Sequence, residues 1–571
     1  MMIGLVLAVS ASFVTQAPAQ APAALPLTHA AQPTKPAITA ADLMTRLYIY
    51  ADDSMMGRAA GTPYNVKATA YIADQVRRMG LQPAGDSGGY FQWVPLVKRA
   101  LTDSSKVAVD DTPLTPFEDY VHIDAVIGPP HPFAPFDGAA AVYAGSWGDS
   151  TLLPAEQAAG KFLVVGVKSG NGPNGPQWFV PPQVLAHRYP QAAGFAVANM
   201  DYIPAQFKPF LRQSRPTLKR DAPGDTTPTP VTLFITAAAA QRLLGTSLDS
   251  AHVGMTGRTV HGRLQYREEP APARNVVAIL PGADRALKTE FVAIGAHNDH
   301  IGFNHSPVDH DSLRAFNTQL QHRSDHLADS LGHPLSPPEM LALRASIHVN
   351  VDSLRRVRPA RLDSISNGAD DDGSGTVTLL EIAEQFAATK PHPKRSILFV
   401  WHTGEELGLF GSQWFTDHPT VPRDSIVAQL NMDMVGRGDA ADTKGGGPDY
   451  LMLIGSRRLS TELGDLVETV NKGEARPLQF DYSWDANGHP ENVYCRSDHY
   501  EYARYGIPIV FFTTGLHQDY HQVTDEPQYI DYQHMARVGQ LVHDVALRAA
   551  DLDHRVVVDK PKPDPNAPCR Q

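Results

Sequence analysis

Five short polar stretches carry the residue types that hydrolytic metal chemistry uses. They are Gly295-Ala296-His297-Asn298-Asp299-His300, Gly368-Ala369-Asp370-Asp371-Asp372-Gly373-Ser374, Trp401-His402-Thr403-Gly404-Glu405-Glu406, Asn431-Met432-Asp433-Met434-Val435-Gly436 and Asp519-Tyr520-His521. Imidazole nitrogen and carboxylate oxygen are ordinary zinc ligands, and a hydrolytic site keeps one position for water. Two histidines and three carboxylates can hold two ions when one carboxylate bridges, and ions about 3.5–4 Å apart can together activate a water and polarise a carbonyl. Taken singly, each histidine or acid reads as an ordinary surface or core group, and the Asp370-Asp371-Asp372 triplet reads as a solvated turn. Five such stretches together do not arise by chance. His300, His402 and His517 stand near them and stay open as further ligands. No Ser or Cys sits in a nucleophile motif with a matched base.

The surrounding pattern says how these stretches are positioned. Four of the five follow apolar runs of strand character, at 291–296, 396–401, 426–432 and 507–512. The acidic triplet lacks a clear preceding strand. Three adjacent like charges disfavour both helix and strand, and the flanking glycines permit sharp turns. Val377, Leu380, Ile382, Ala383 and Phe386 then recur at helical spacing, so the triplet reads as a loop leading into a helix. Strands alternating with helices, several of them apolar throughout, predict an α/β fold with a mixed, mostly parallel central sheet covered on both faces. In such sheets ligands bind beyond the carboxyl ends of the strands, where these stretches would converge.

The chain has 571 residues, 42% hydrophobic and 19% charged, which suits two or more globular units. Its formal net charge of -12 argues against a nucleic-acid partner. Residues 1–19 read as a signal peptide, with a short apolar run and a small-x-small site at Ala17-Pro18-Ala19, although no Lys or Arg precedes the run. An exported protein, periplasmic or extracellular, without a membrane span is the expectation. Residues 20–38 read as an Ala/Pro/Gln linker, 39–127 and 272–555 as the two parts of a catalytic domain, and 556–571 as a tail. Residues 128–271, with short apolar runs between turn-rich segments, read as an inserted domain. Residues 304–366 are charged and carry only a thin apolar stripe, and read as a projecting helical hairpin that serves as lid, spacer or homodimer arm. The two cysteines, Cys495 and Cys569, cannot build a disulfide framework or a Cys-rich zinc site, and could form one bridge.

The motifs Gly-Ala-His297-x-Asp299, Gly-Ala-Asp370-Asp371-Asp372-Gly-Ser-Gly, Glu405-Glu406-x-Gly-x-x-Gly-Ser, Asn-Met-Asp433-Met-Val-Gly and Tyr520-His521, with Ser497-Asp498-His499 and Gly506-Ile507-Pro508, resemble the co-catalytic zinc peptidases of clan MH. That group includes bacterial leucyl aminopeptidases, aminopeptidase Y and glutamate carboxypeptidase-like proteins, and the inserted domain is similar to a protease-associated domain. The resemblance implies a zinc-exopeptidase-like fold, two Zn2+ ions and peptide substrates. It implies His297, Asp371, Glu406, Asp433 and His521 as ligands, with Asp371 bridging and Asp370 and Asp372 not ligating. Glu405 would be the general base, and Asp299 would hydrogen-bond the far nitrogen of His297. An aminopeptidase is the expected activity. The alternatives are a carboxypeptidase for acidic or modified peptides, for which Arg437 and Arg496 are the candidate cations, and an inactive receptor-like homologue. A glutaminyl cyclase fits less well, because that branch usually holds one zinc and lacks the insert. Residues 304–366 depart from the family pattern, since many relatives have far fewer residues there.

Overall fold

The computed structural model describes residues 25–102, 104–122, 135–168, 171–172, 175–176, 180–203, 215–219, 230–333, 335–567 and 569–571. The expected signal peptide therefore lies outside the described residues.

Nine strands form the central sheet: β1 (Gln82–Pro83), β2 (Phe91–Trp93), β3 (Arg274–Leu280), β4 (Phe291–His297), β5 (Ser396–His402), β6 (Ile426–Met432), β7 (Tyr450–Ile454), β8 (Gln479–Asp481) and β9 (Ile509–Thr513). Their order is β1-β3-β5-β4-β6-β9-β7-β8, with β2 also on β3. The central run β5-β4-β6-β9 is parallel. Antiparallel partners flank it, β3 on β5 and β7 on β9. The sheet is thus mixed with a parallel centre. β4, β5, β6 and β9 are buried at every residue, which is why they read as unbroken apolar runs rather than alternating ones.

Seven helices cover this sheet: α1 (Ala40–Tyr50), α2 (Pro63–Arg78), α3 (Gly375–Ala388), α4 (Phe410–Asp417), α5 (Thr461–Gly473), α6 (His499–Ala503) and α7 (Tyr532–Ala550). Thr39, Thr62, Ser460 and Asp531 cap α1, α2, α5 and α7 by accepting backbone N–H bonds of the first turn. α1, α2, α3, α5 and α7 bury one face of the sheet in a core that includes Leu43, Ile72, Leu380, Leu463 and Val542. α4 and α6 cover the other face, around Phe415, Tyr502 and Ile509. Among the described residues no helix is long and apolar enough to cross a membrane.

A second, eight-stranded sheet has its own core around Phe162, Val164, Leu233 and Leu243. Its strands include Lys106–Val109, Thr112–Pro113 and Tyr120–His122, all before residue 128. The unit therefore starts earlier than the Pro129-Pro130 break suggests, because Lys106–Val109 pairs with Thr256–Arg263 and Tyr120–His122 with Val231–Ile235. The apolar run near residues 90–101 is likewise divided between two strands. β2 joins the central sheet, and Leu96–Leu101 pairs with Tyr266–Ala271 in a three-stranded connection between the two units. Pro95 sits at that break.

Residues 304–366 are more than a helical hairpin. An antiparallel ribbon, Gly302–Asp309 with Leu362–Ser366, forms the base of the arm. Three helices follow on it, His310–Leu331, Pro337–Ala345 and Val351–Val357. The long helix buries only His310, Asp311 and Asn317, in keeping with its thin apolar stripe. Cys495 and Cys569 form a disulfide with Cα atoms 5.8 Å apart, which ties the tail to the segment preceding α6. The Gln571 side chain accepts from the Tyr494 backbone N–H and donates to the Trp484 carbonyl, fixing the same segment.

Candidate metal centre

The site is assembled at the carboxyl ends of β4, β5, β6 and β9. His297 ends β4, Glu405 and Glu406 stand on the turn after β5, Asp433 directly follows β6, and His521 lies on the loop after β9. Asp371 comes from the acidic turn Ala369–Ser374 before α3. All five sequence stretches meet there.

The acidic triplet is not a solvated turn. Asp370, Asp371 and Asp372 are all buried. Asp372 accepts backbone N–H bonds from His297 (3.0 Å), Gly375 (2.9 Å) and Met434 (3.2 Å), so one carboxylate ties three of the stretches together. Gly375 is needed there, because a Cβ would lie 2.3 Å from Asp372 Oδ1. Asp370 accepts from the Gly436 N–H at 2.7 Å, and Asp525 in turn accepts from the N–H groups of Asp370 and Asp371. Arg58, fully buried, donates to the carbonyls of Asn367 and Gly368. The outer two acids thus hold the loop, and only Asp371 is left facing the other donors. Such buried polar groups are costly without partners and stabilising with them.

Two donor groups meet at Asp371. His297, Asp371 and Asp433 form one, and His300, Asp371, Glu406 and His521 the other, each with ligand atoms mutually within 4.8 Å. His297 Nε2 stands 3.2 Å from Asp371 Oδ1 and 3.5 Å from Asp433 Oδ1. His521 Nε2 stands 3.1 Å from Asp371 Oδ2 and 2.9 Å from Glu406 Oε2. His297 Nε2, Asp371 Oδ2, Glu406 Oε1 and His521 Nε2 are buried without a hydrogen-bond partner. What sets these four apart is that they converge within two donor groups, as ligands of an ion do. The donor set of imidazoles and carboxylates fits zinc. Burial works against charge on Asp371, yet His297, His521 and His300 hold its carboxyl well below the ordinary range.

Supporting groups orient these donors. Ser497 Oγ donates to Asp433 Oδ2 at 2.7 Å and accepts from Asn431. Thr376 Oγ1 donates to the His297 carbonyl, and Asn298 is bracketed by Tyr50, Asn65 and β5. Asp299 differs in detail from the expectation. His297 Nδ1 lies 3.2 Å from the Asp299 backbone carbonyl and 3.6 Å from its carboxylate Oδ1. That carboxylate instead accepts the Glu405 N–H at 3.2 Å, so it orients the Glu405 turn as much as the imidazole. The reason is local: the tight turn after β4 brings the carbonyl under the ring of the residue two before it.

Glu405 is the acid of this cluster that belongs to neither donor group. Its Oε2 is 4.0 Å from His297 Nε2. Burial pushes its carboxyl well above the ordinary range, with Asp433 and Glu406 adding to the push and His297 opposing it. Glu405 lines a pocket with Asp371 and Asp433, walled by Met434, Trp484, Val493, Phe511, Leu516 and Tyr520. The remaining histidines separate from the donors. His402 contacts Tyr502 and Asp498 beneath the site, and His517 faces Asp370. His300 does not separate; it joins the second group. Its place on the turn after β4, three residues beyond His297, was the available signal.

The model of peptidase family M28 matches residues 339–546. The match covers 208 of the 571 residues. The matched segment contains Asp371, Glu405, Glu406, Asp433 and His521, while His297 and His300 precede it. Leucine aminopeptidase 1 of Aspergillus fumigatus is 28% identical over 201 residues, 33% of this chain and 48% of that protein. Leucine aminopeptidase 1 of Coccidioides posadasii (strain C735) is 31% identical over 204 residues, 34% of this chain and 49% of that protein. The chain spans about half the length of these relatives. Among solved structures, an aminopeptidase from Aneurinibacillus sp. strain AM-1 aligns with TM-score 0.48 and 16% identity, covering 92% of this chain and 97% of that one.

Proposed function

We propose that the chain is an exported zinc aminopeptidase that holds two Zn2+ ions and removes N-terminal residues from peptides. The observation that carries this reading is a pair of donor groups sharing Asp371 beside Glu405, an acid engaged by neither. Zinc bound there would supply Lewis-acid polarisation of the scissile carbonyl and a water of lowered pKa. His297 and Asp433 complete one group, Glu406 and His521 the other, and Asp371 serves both. Glu405 takes the proton of the attacking water and passes it to the leaving amine; its raised carboxyl suits a group that must hold a proton between two steps. Asp299 fixes the Glu405 turn and the His297 ring.

The pocket favours an amino terminus over a carboxyl terminus. It presents Asp371, Glu405 and Asp433, and its one cation, Arg496, is paired with Glu491 at 3.0 Å. Arg437, the other candidate for a carboxypeptidase site, is buried and spent on Asp442 and Asp519. The apolar walls suit a hydrophobic first residue, in line with the names of the fungal relatives. A homodimer formed through the arm, which exposes Leu341, Val357 and Leu362, is part of this proposal.

The test is a panel of aminoacyl chromogenic amides, free and N-acetylated, together with substrates carrying a free C-terminal residue. Cleavage of the free aminoacyl amides, lost in chelator and restored by zinc, is expected. Cleavage only of the C-terminal substrates would favour the carboxypeptidase, and full turnover of verified metal-free protein would overturn the metal reading.

A further inference from the structure

Resting on that reading, we propose that His300 is a further protein ligand of the second zinc position, making the two positions unequal: His297, Asp371 and Asp433 at one, and His300, Asp371, Glu406 and His521 at the other.

The argument begins with placement. The His300 side chain is fully buried on the turn after β4, and neither ring nitrogen has a hydrogen-bond partner. Its Nδ1 stands 2.8 Å from Glu406 Oε1 and 3.7 Å from Asp371 Oδ2. At 2.8 Å a hydrogen bond is expected, yet the alignment is wrong and both Nδ1 and Oε1 stay unpartnered. Two atoms aimed at a common centre give that geometry. Zn–N and Zn–O bonds of about 2.0–2.2 Å put neighbouring ligands of one ion roughly 3 Å apart without aiming them at each other. His521 and Glu406 show the same relation, at 2.9 Å. The rings of His300 and His521 meet edge to face with centroids 5.6 Å apart, so both border the same space.

The fold also makes room for this ring. Gly368, at φ +54°, stands beside it, and a Cβ there would come within 2.5 Å of His300 Cγ and Cδ2 and 2.2 Å of the Asp371 carbonyl. His517 against Asp370 Oδ2 at 3.2 Å and His402 against Asp498 Oδ2 at 3.4 Å also pair a buried, unpartnered ring nitrogen with an acid, but none of these four residues belongs to a donor group.

Two imidazoles and two carboxylates bind zinc more tightly than one imidazole and two carboxylates, so the His300 position fills first and empties last. It also has fewer coordination sites left for water, which assigns most of the open coordination to the His297 position.

The experiment titrates metal-free full-length protein with zinc against a chelating competitor and records X-ray absorption of the one-zinc form. Wild type should bind in two resolved steps, with two imidazoles on the first zinc. His300→Ala should weaken the first step at least tenfold and leave one imidazole, while His297→Ala should remove the weaker step. Circular dichroism of the metal-free proteins checks that each variant folds. An unchanged first step in His300→Ala, or one imidazole on the first zinc in wild type, overturns the ligand assignment; the latter with weakened binding would make His300 an orienting partner of Glu406. Absence of zinc binding in wild type would instead defeat the metal reading as a whole.

Discussion

Glu405 and Glu406 are neighbours in sequence with different surroundings. Glu406 meets His300 and His521 and belongs to a donor group, while Glu405 hangs from a turn held by Asp299 and faces the pocket. Glu405→Gln keeps the shape and removes the proposed base. General-base catalysis contributes about 10²–10⁴-fold, so the rate should fall by that order with zinc content unchanged. Glu406→Gln should lower zinc content, because a neutral amide replaces a carboxylate ligand. Metal analysis beside steady-state kinetics separates the two, and zinc lost in Glu405→Gln but kept in Glu406→Gln would reverse the assignment. At this scale the five stretches were legible in the sequence, and the resemblance of their motifs singled out His297, Asp371, Glu405, Glu406, Asp433 and His521, which all reach one cleft. The sequence was least legible where packing decides. Nothing in the string Asp370-Asp371-Asp372 says that the outer acids receive backbone N–H groups from strands far away in the chain, or that His300 turns inward while His402 does not.

Among the elements, the arm is the one whose relation to the site the sequence left open. Its long helix begins against the loop after β9. Arg314 donates to Asp519, two residues before His521, and its guanidinium lies 3.5 Å from the centroid of Tyr529. Asp519 also receives two bonds from the buried Arg437. Arg314→Met should therefore keep zinc, because Arg437 still holds Asp519, but loosen the arm and raise KM more than it lowers kcat. Zinc analysis and kinetics read both, and loss of zinc would show that the arm shapes the donor loop directly. His310 adds a pH dependence. Burial lowers its pKa to about 4, with Arg361, Arg314 and Arg358 adding to the effect and Asp311 opposing it. The unfolded chain then binds more protons between about pH 4 and 6.5, so this contribution to stability is full above 6.5 and is lost as pH falls toward 4. Thermal unfolding at pH 7, 5.5 and 4.5 should show a steeper loss in wild type than in His310→Gln, and equal slopes would contradict this. The parallel strands β4, β5, β6 and β9 were readable as apolar runs and α3 from its helical spacing. The ribbon at the base of the arm and the split near Pro95 were not, because short polar strands carry no strong alternation and take their partners from distant sequence.

At the scale of the whole molecule, a parallel sheet brings four strand ends to one crevice, the second sheet stands as a unit with its own core, and the Cys495–Cys569 bridge and Gln571 fix the segment carrying Trp484, Val493 and Arg496. Asp371 is the residue that the two donor groups of that crevice share, and the proposed centre rests on it. The most direct measurement is the zinc content per chain of wild type and Asp371→Asn, both shown to be folded by circular dichroism. The account predicts two zinc ions in wild type and weakened binding of both in the variant, since one carboxylate is shared by the two donor groups. Two zinc ions held as tightly by Asp371→Asn as by wild type, or a wild type that binds only one, would contradict it.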